Sequence, residues 1–204
     1  SGGRQMPQHY GSQALNIPTQ SSPTGTQYLQ AVGCAMASVR NAHKAAPKNG
    51  HRPDYEVTVV GSGEGTTSQG DFHEALNWAS RDRLPVIFLV EDNGYAISVP
   101  VAEQTAGGDV ASFGRGYGNL ETVKVDGCDF VESYRVMGEA VARVRSGEGP
   151  ALVHARVVRP YSHSLSDDER LYKPAAERQR EAERDPIGRT ADLLHEHYGV
   201  SREE

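Results

Sequence analysis

Two short stretches carry residue types that could hold a cation: Gly63-Glu64-Gly65 and Asp92-Asn93-Gly94-Tyr95. A carboxylate, an amide oxygen and a turn carbonyl are hard oxygen donors, suited to Mg2+ or Ca2+ rather than to a soft metal. Glycines beside the carboxylate let the backbone approach a phosphate at the start of a following helix. Together they point to a diphosphate carried on a divalent cation. Two other readings stay open. A Gly-rich turn after a strand is often only a tight connection, and Asn-Gly is a common turn. A Rossmann dinucleotide site is a rival, but Gly61-x-Gly63 needs Gly or Ala three residues on, where Thr66 stands.

Open parallel sheets bind ligands beyond the carboxyl ends of their strands, so each stretch must follow a strand, with a helix between them. The sequence fits. Residues 55–60 are rich in Val and Thr and run as a strand into the glycines. Ser68 with Asp71 matches a capping box ahead of a helical stripe of Phe72, Ala75, Leu76 and Ala79. Val86 to Val90 is continuously apolar, as suits a strand buried on both faces. Further strands are expected over 121–125 and 151–158. The helix between them is marked by Phe130, Tyr134, Met137, Val141 and Val144, and Gly147 and Gly149-Pro150 stop it.

Upstream, a helix over 27–44 presents Leu29, Val32, Gly33 and Met36 on one face, and its many small residues permit close approach of another helix. Asp185-Pro186 opens a final helix through Ile187, Ala191, Leu194 and Tyr198, and Gly199 ends it. The first 28 residues, 103–119 and 159–173 read as irregular. Strands alternating with helices imply βαβ units, hence an α/β three-layer sandwich with a mainly parallel sheet.

The chain has 204 residues, enough for one domain spanning 1–204. Its 21 Lys and Arg against 27 Asp and Glu give a net charge of −6. That balance argues against a nucleic-acid partner or an anionic membrane surface, each of which wants a basic field. Cys34 and Cys128 cannot build a disulfide framework, which points to a reducing compartment. The longest aliphatic–aromatic run, Val86 to Val90, is far too short to span a bilayer. The opening Ser1-Gly2-Gly3-Arg4-Gln5-Met6-Pro7 has no apolar segment of a signal peptide and no initiating Met, so a piece of a longer polypeptide is expected.

The run Gly63-Glu64-Gly65-Thr66-Thr67-Ser68-Gln69-Gly70-Asp71, then Asn77, then Asp92-Asn93-Gly94-Tyr95-Ala96-Ile97-Ser98, resembles the thiamine-diphosphate motif of the 2-oxo acid dehydrogenases. The nearest match is the alpha subunit of the branched-chain decarboxylating component. The resemblance extends to Gly3-Arg4-Gln5-Met6-Pro7, Ser21-Ser22-Pro23 with Thr26-Gln27, Gly116-Tyr117-Gly118 and His163-Ser164-Leu165-Ser166-Asp167-Asp168.

The resemblance implies a thiamine-diphosphate-binding fold. Glu64 and Asn93 would be side-chain ligands of Mg2+, and Tyr95 would add its backbone carbonyl. Gly63, Gly65, Thr66 and Thr67 would line the diphosphate, and Ser22 would contact the cofactor. Ser21, Pro23, Thr26 and Gln27 match a K+-binding loop, although a Pro-stabilised turn would use the same residue types. His163 matches the catalytic imidazole beside the cofactor, and Ser164 a regulatory phosphorylation position. The other histidines lack motif support and read as surface or capping groups.

The implied reaction is oxidative decarboxylation of a 2-oxo acid, branched-chain by motif, with acyl transfer to a lipoyl group. Pyruvate and acetoin dehydrogenase alpha subunits are alternatives in the same class. The implied partners are a beta subunit or fused beta half and the lipoyl-bearing acyltransferase component. The compartment would be a bacterial cytoplasm or the mitochondrial matrix. Glu91 departs from the pattern, standing where some branched-chain enzymes have a diphosphate-binding Arg. That departure, with the family's absent N-terminal and C-terminal stretches, keeps open a non-catalytic domain that has lost its cofactor.

Overall fold

The structure is a computed structural model that describes residues 9, 11–45 and 54–201. Gly3-Arg4-Gln5-Met6-Pro7 lies outside the described residues. The first helix, α1 (Thr26–Ala45), leads to strand β1 (Thr58–Gly63). A 3-10 segment, Glu64–Ser68, then carries the chain into α2 (Gly70–Asp82). Next come β2 (Val86–Asp92), a two-residue hairpin of β3 (Tyr95–Ala96) and β4 (Val99–Pro100), and the single turn α3 (Val101–Gln104). After a Gly-rich stretch come β5 (Glu121–Asp126), α4 (Phe130–Arg145), β6 (Ala151–Arg156), α5 (Ala175–Ala182) and α6 (Pro186–Tyr198).

The main sheet has the order β1-β2-β6-β5 and is parallel throughout. One face carries α1 and α2 over a core of Tyr28, Ala31, Phe72, Leu76, Phe88 and Val90. The other face carries α4 over Ile87, Val136, Ala140, Val144 and Val153. The three-layer arrangement expected from the alternation of elements is present, and β2 is buried over most of its length because helices flank it on both sides.

Several local expectations are corrected. The glycines at 61 and 63 belong to β1 itself, and the turn begins only at Glu64. No capping box forms, since Gln69 is the N-cap of α2 and makes no side-chain cap bond. The buried face of α1 is Tyr28, Ala31, Val32, Ala35 and Ser38, whereas Leu29, Gly33 and Met36 are exposed. Tyr28 decides that rotation. Its ring packs on Phe72 and Phe88, and its hydroxyl is hydrogen-bonded to Ser62 on β1.

On α4 the core stripe is Val136, Ala140 and Val144, while Phe130 and Tyr134 face solvent. The last helix has its Asp185 cap and Gly199 stop as read, yet buries none of its residues. Its attachment is electrostatic, through Arg189 to Asp126 and Asp129. The helix α5 carries no sequence signal, because its Ala-Ala-Glu-Arg-Gln-Arg-Glu-Ala run has no apolar stripe.

These assignments separate two aromatic residues that the sequence treats alike. Phe72 is fully buried among Tyr28, Phe88 and Phe113. Phe72→Ala is expected to cost roughly 3–5 kcal/mol of stability. Tyr134 is 76% exposed, and Tyr134→Ala is expected to stay within about 0.5 kcal/mol of wild type. Urea denaturation of both variants measures the difference.

Candidate functional site

Parallel pairing of β1 with β2 sets Gly63 beside Glu91, so Glu64 and Asn93 leave the same end of the sheet from neighbouring strands. Glu64 is 1% exposed. Its Oε2 accepts a hydrogen bond from the Asn93 backbone N–H at 3.2 Å. Glu64 Oε1 and Asn93 Oδ1 are both buried and have no hydrogen-bond partner among the described residues. Buried acceptors are nearly always satisfied, and two orphans on adjoining turns are costly unless another group completes them.

Burial raises the Glu64 carboxyl above the usual carboxylate range. Bonding to the amides of Glu64 and Asn93 pulls it partly back, while the nearby charge of Asp92 pushes it further up. A cation between the orphan oxygens would reverse the balance, because it favours the ionised acid. The donors are one carboxylate and one amide oxygen, with the Tyr95 residue directly following the turn, which is a hard-oxygen set. No group of three or more His, Cys, Asp and Glu that could hold a metal occurs among the described residues, so an all-acidic site is not what this end of the sheet offers.

The turns are held from several directions. Gln104 on α3 reaches back with its Nε2, which lies 3.1 Å from the Glu64 and Gly65 carbonyls and 2.8 Å from Ser68 Oγ. Thr67 is fully buried and donates its hydroxyl to the Glu64 carbonyl at 2.7 Å. Gly65 packs on β3, where a Cβ would come within 2.8 Å of the Ala96 methyl. A Cβ on Gly63 would meet only the Glu91 carbonyl oxygen, at 3.8 Å. Gly94 has φ +87, a conformation that glycine takes without strain. Its N–H donates to Asp92 Oδ1 at 2.8 Å, and its carbonyl accepts from Val101 N at 2.9 Å.

The turn at 21–27 abuts this region, with Gly25 lying against the Gln69 and Thr66 side chains. Ser21 and Thr26 hydroxyls are hydrogen-bonded to each other, Thr26 Oγ1 donates to the Pro23 carbonyl, and Gln27 Oε1 accepts from Gly25 N. The four oxygen-bearing residues singled out at 21, 23, 26 and 27 thus share one turn, in which Ser21, Pro23 and Thr26 bond to one another and Gln27 bonds to Gly25. Ser22 is exposed.

His163 stands on an exposed segment, and its backbone N–H donates to Asp167 Oδ2 at 2.8 Å. The segment is tied to the turn after β2 through Arg159, whose counterpart in the resemblance is a structural or phosphate-facing charge, and through Tyr172, which the sequence does not single out. Arg159 donates from Nη2 to the Ile97 carbonyl and lies 2.6 Å from the Tyr172 hydroxyl oxygen. Tyr172 in turn donates to Asp167 at 2.6 Å, and its ring lies 5.8 Å from that of Tyr95. Burial and the bond to Asp167 push the Tyr172 hydroxyl up to about 12. Ile97 has φ +58, a genuine outlier for a β-branched residue. Arg159 therefore anchors a strained turn, and its Nε and Nη1 remain without partners among the described residues.

Two sequence readings need correction or qualification here. His154 is not a surface or capping group: it is 1% exposed and paired with Asp92. Its place on a core strand, inside Ala-Leu-Val-His-Ala, was the available signal. Glu91 is exposed, on the face of β2 opposite the buried Asp92. Water screens its charge, so any repulsion of a nearby anion is weak.

The comparisons agree with one another. The dehydrogenase E1 component family matches over residues 1–204. The 2-oxoisovalerate dehydrogenase subunit alpha of Bacillus subtilis is 41% identical over 187 residues, covering 92% of this chain and 53% of that protein. The 3-methyl-2-oxobutanoate dehydrogenase subunit alpha of Mycobacterium tuberculosis is 42% identical over 174 residues, 85% of this chain and 44% of that one. The chain spans about half the length of these curated relatives. Among solved structures, a transketolase mutant from Pichia stipitis aligns with a TM-score of 0.56 at 23% identity, over 70% of this chain and 21% of that chain. Transketolase from Leishmania mexicana also gives 0.56, at 21% identity over 69% and 21%. These two show a shared fold, that of the transketolase-like α/β enzymes. The match along the whole sequence carries the further conclusion that this chain belongs to the dehydrogenase E1 component family.

Proposed function

We propose that the chain is the cofactor-binding part of the alpha subunit of a 2-oxo acid dehydrogenase, acting on a branched-chain 2-oxo acid with thiamine diphosphate and Mg2+. The observation that carries this reading is the pair of buried oxygens left without partners, Glu64 Oε1 and Asn93 Oδ1, on adjoining turns. The names of the relatives at 41% and 42% identity supply the substrate class.

In this reading Glu64 and Asn93 hold Mg2+ through their side chains, and Tyr95 adds its carbonyl. Gly63, Gly65, Thr66, Thr67 and Ser22 form the diphosphate side, with Thr67 acting chiefly by fixing the Glu64 turn. When bound, thiamine diphosphate supplies the electron sink for decarboxylation, and the protein supplies position and electrostatics. His163 is the imidazole placed to donate to anionic oxygen beside the cofactor. The Arg159–Tyr172–Asp167 bonds hold its segment against the Ile97 turn. A beta chain or fused beta half completes the active site, and a lipoyl group on the acyltransferase component takes the acyl product. The turn at Ser21, Pro23, Thr26 and Gln27 is a site for K+ if its internal bonds open to the ion. The compartment is the cytoplasm in a bacterium or the matrix in a mitochondrion. No helix among the described residues is long and apolar enough to cross a membrane.

Calorimetric titration of thiamine diphosphate into the full-length protein with its beta chain tests this directly. Binding is expected to require Mg2+ and to weaken by more than about a hundredfold in Glu64→Ala. Binding that ignores both Mg2+ and the substitution contradicts the assignment.

A second prediction follows from the raised Glu64 carboxyl. The native state keeps a proton that the unfolded chain has already released. Stability of the metal-free protein therefore falls as pH climbs from the ordinary carboxylate range, about 4.3, through the raised value. Glu64→Gln removes that loss. Without metal the variant is expected to match wild type below about pH 4 and to exceed it at pH 7. Chemical unfolding across this range reads the sign.

A further inference from the structure

Two acids, not one, lie at the cation end of the sheet. Asp92 is 2% exposed, precedes Asn93 directly, and its charge is felt by Glu64. On donor chemistry alone Asp92 is as good a ligand as either neighbour. Its two carboxylate oxygens are nevertheless both occupied. Oδ1 accepts from Gly94 N at 2.8 Å, and Oδ2 lies 2.6 Å from His154 Nε2. A carboxylate oxygen accepts, so His154 Nε2 carries the proton between them.

His154 is itself fixed. It sits on β6, in register with Val90 of β2, and is 1% exposed. Its Nδ1 lies 3.5 Å from Asp109 Oδ1. Asp109 caps the Val110–Gly116 segment by accepting from Ala111 N and is paired with Lys124 on β5 at 2.6 Å. The imidazole thus stands between an acid on the cation turn, to which Nε2 is bonded, and an acid on the Gly-rich stretch, which Nδ1 approaches without forming a hydrogen bond.

We propose that His154 is a positioning residue that withdraws Asp92 from the cation, leaving Glu64 and Asn93 as the side chains that present oxygen to it. This rests on the reading of the site given above and adds a selecting group to it. With the imidazole removed, Asp92 is a buried anion lacking its second partner. A cation held by Glu64 and Asn93 would then compete for it with Arg156, whose charge already acts on Asp92, and would draw the Asn93 turn with it. An additional carboxylate ligand favours the larger, more permissive Ca2+ over Mg2+.

The test uses the full-length protein with its beta chain, titrated with thiamine diphosphate at graded Mg2+ or Ca2+ and followed by calorimetry. In His154→Leu the half-saturating Mg2+ concentration is expected to rise about ten- to hundredfold. The preference for Mg2+ over Ca2+ should narrow at the same time. His154→Gln keeps a donor for Asp92 and is expected to remain within about threefold of wild type. A folded His154→Leu protein with unchanged Mg2+ dependence and unchanged preference overturns the proposal, as does equal damage in the Leu and Gln variants, which would mark a packing effect.

If the Leu variant does not fold, Asp92→Ser decides. It preserves a short acceptor for Gly94 N but cannot reach His154 or act as a carboxylate ligand. It should weaken Mg2+ binding without narrowing the preference over Ca2+, and a narrowed preference overturns the proposal. Wild-type protein showing no Mg2+-dependent binding defeats the functional reading and this inference together. Normal wild-type binding with an indifferent His154→Leu defeats this inference alone.

Discussion

Glu64 carries a carboxylate into a place almost closed to water, and an unpaired anion there is unfavourable unless something completes it. One of its oxygens is tied to the Asn93 amide, and the other faces no partner among the described residues. The rest of the site is organised around that arrangement. The parallel pairing of β1 and β2 brings the acid to Asn93, and the 3-10 segment after β1 turns the chain before α2 begins. A second acid one residue from Asn93 could spoil the arrangement, and a histidine from a third strand holds it aside.

The supports come from distant parts of the chain. Gln104 clamps the Glu64 turn from α3, His154 holds the Asp92 turn from β6, and Arg159 holds the Ile97 carbonyl from the segment after β6. Lys173, fully buried and paired with Glu181 on α5, lies 5.1 Å from the centre of the Tyr95 ring. A cation near an aromatic ring, with its charge already balanced by a carboxylate, fixes that ring at modest cost. Four separate elements therefore bear on residues 64–97. This is the kind of support that keeps ligands in place before any cofactor arrives.

The sheet and its flanking helices were readable because their signals are local: continuous apolar strands, a stripe at Phe72, Ala75, Leu76 and Ala79, and the Asp185 and Gly199 caps. Glu64 and Asn93 stand out in the sequence because donor type and strand-end position coincide, and the structure brings them onto adjoining turns. What escaped depended on tertiary partners. The rotation of α1 is set by Tyr28 meeting Phe72 and Phe88, contacts that its own periodicity cannot foresee. The exposed Phe130 and Tyr134 look like core residues on a helical wheel and are not. His154 looked incidental because its partner is 62 residues away in sequence. Gln104, in a one-turn helix without an apolar stripe, gave no signal at all.

The most direct measurement is a crystal structure of the full-length protein with the proposed beta chain, grown with thiamine diphosphate and Mn2+ and phased on the metal's anomalous signal. One peak is expected between the two turns, against Glu64, Asn93 and the Tyr95 carbonyl, with Asp92 still bound to His154. A metal held elsewhere, or one ligated by Asp92 in wild-type protein, would contradict it.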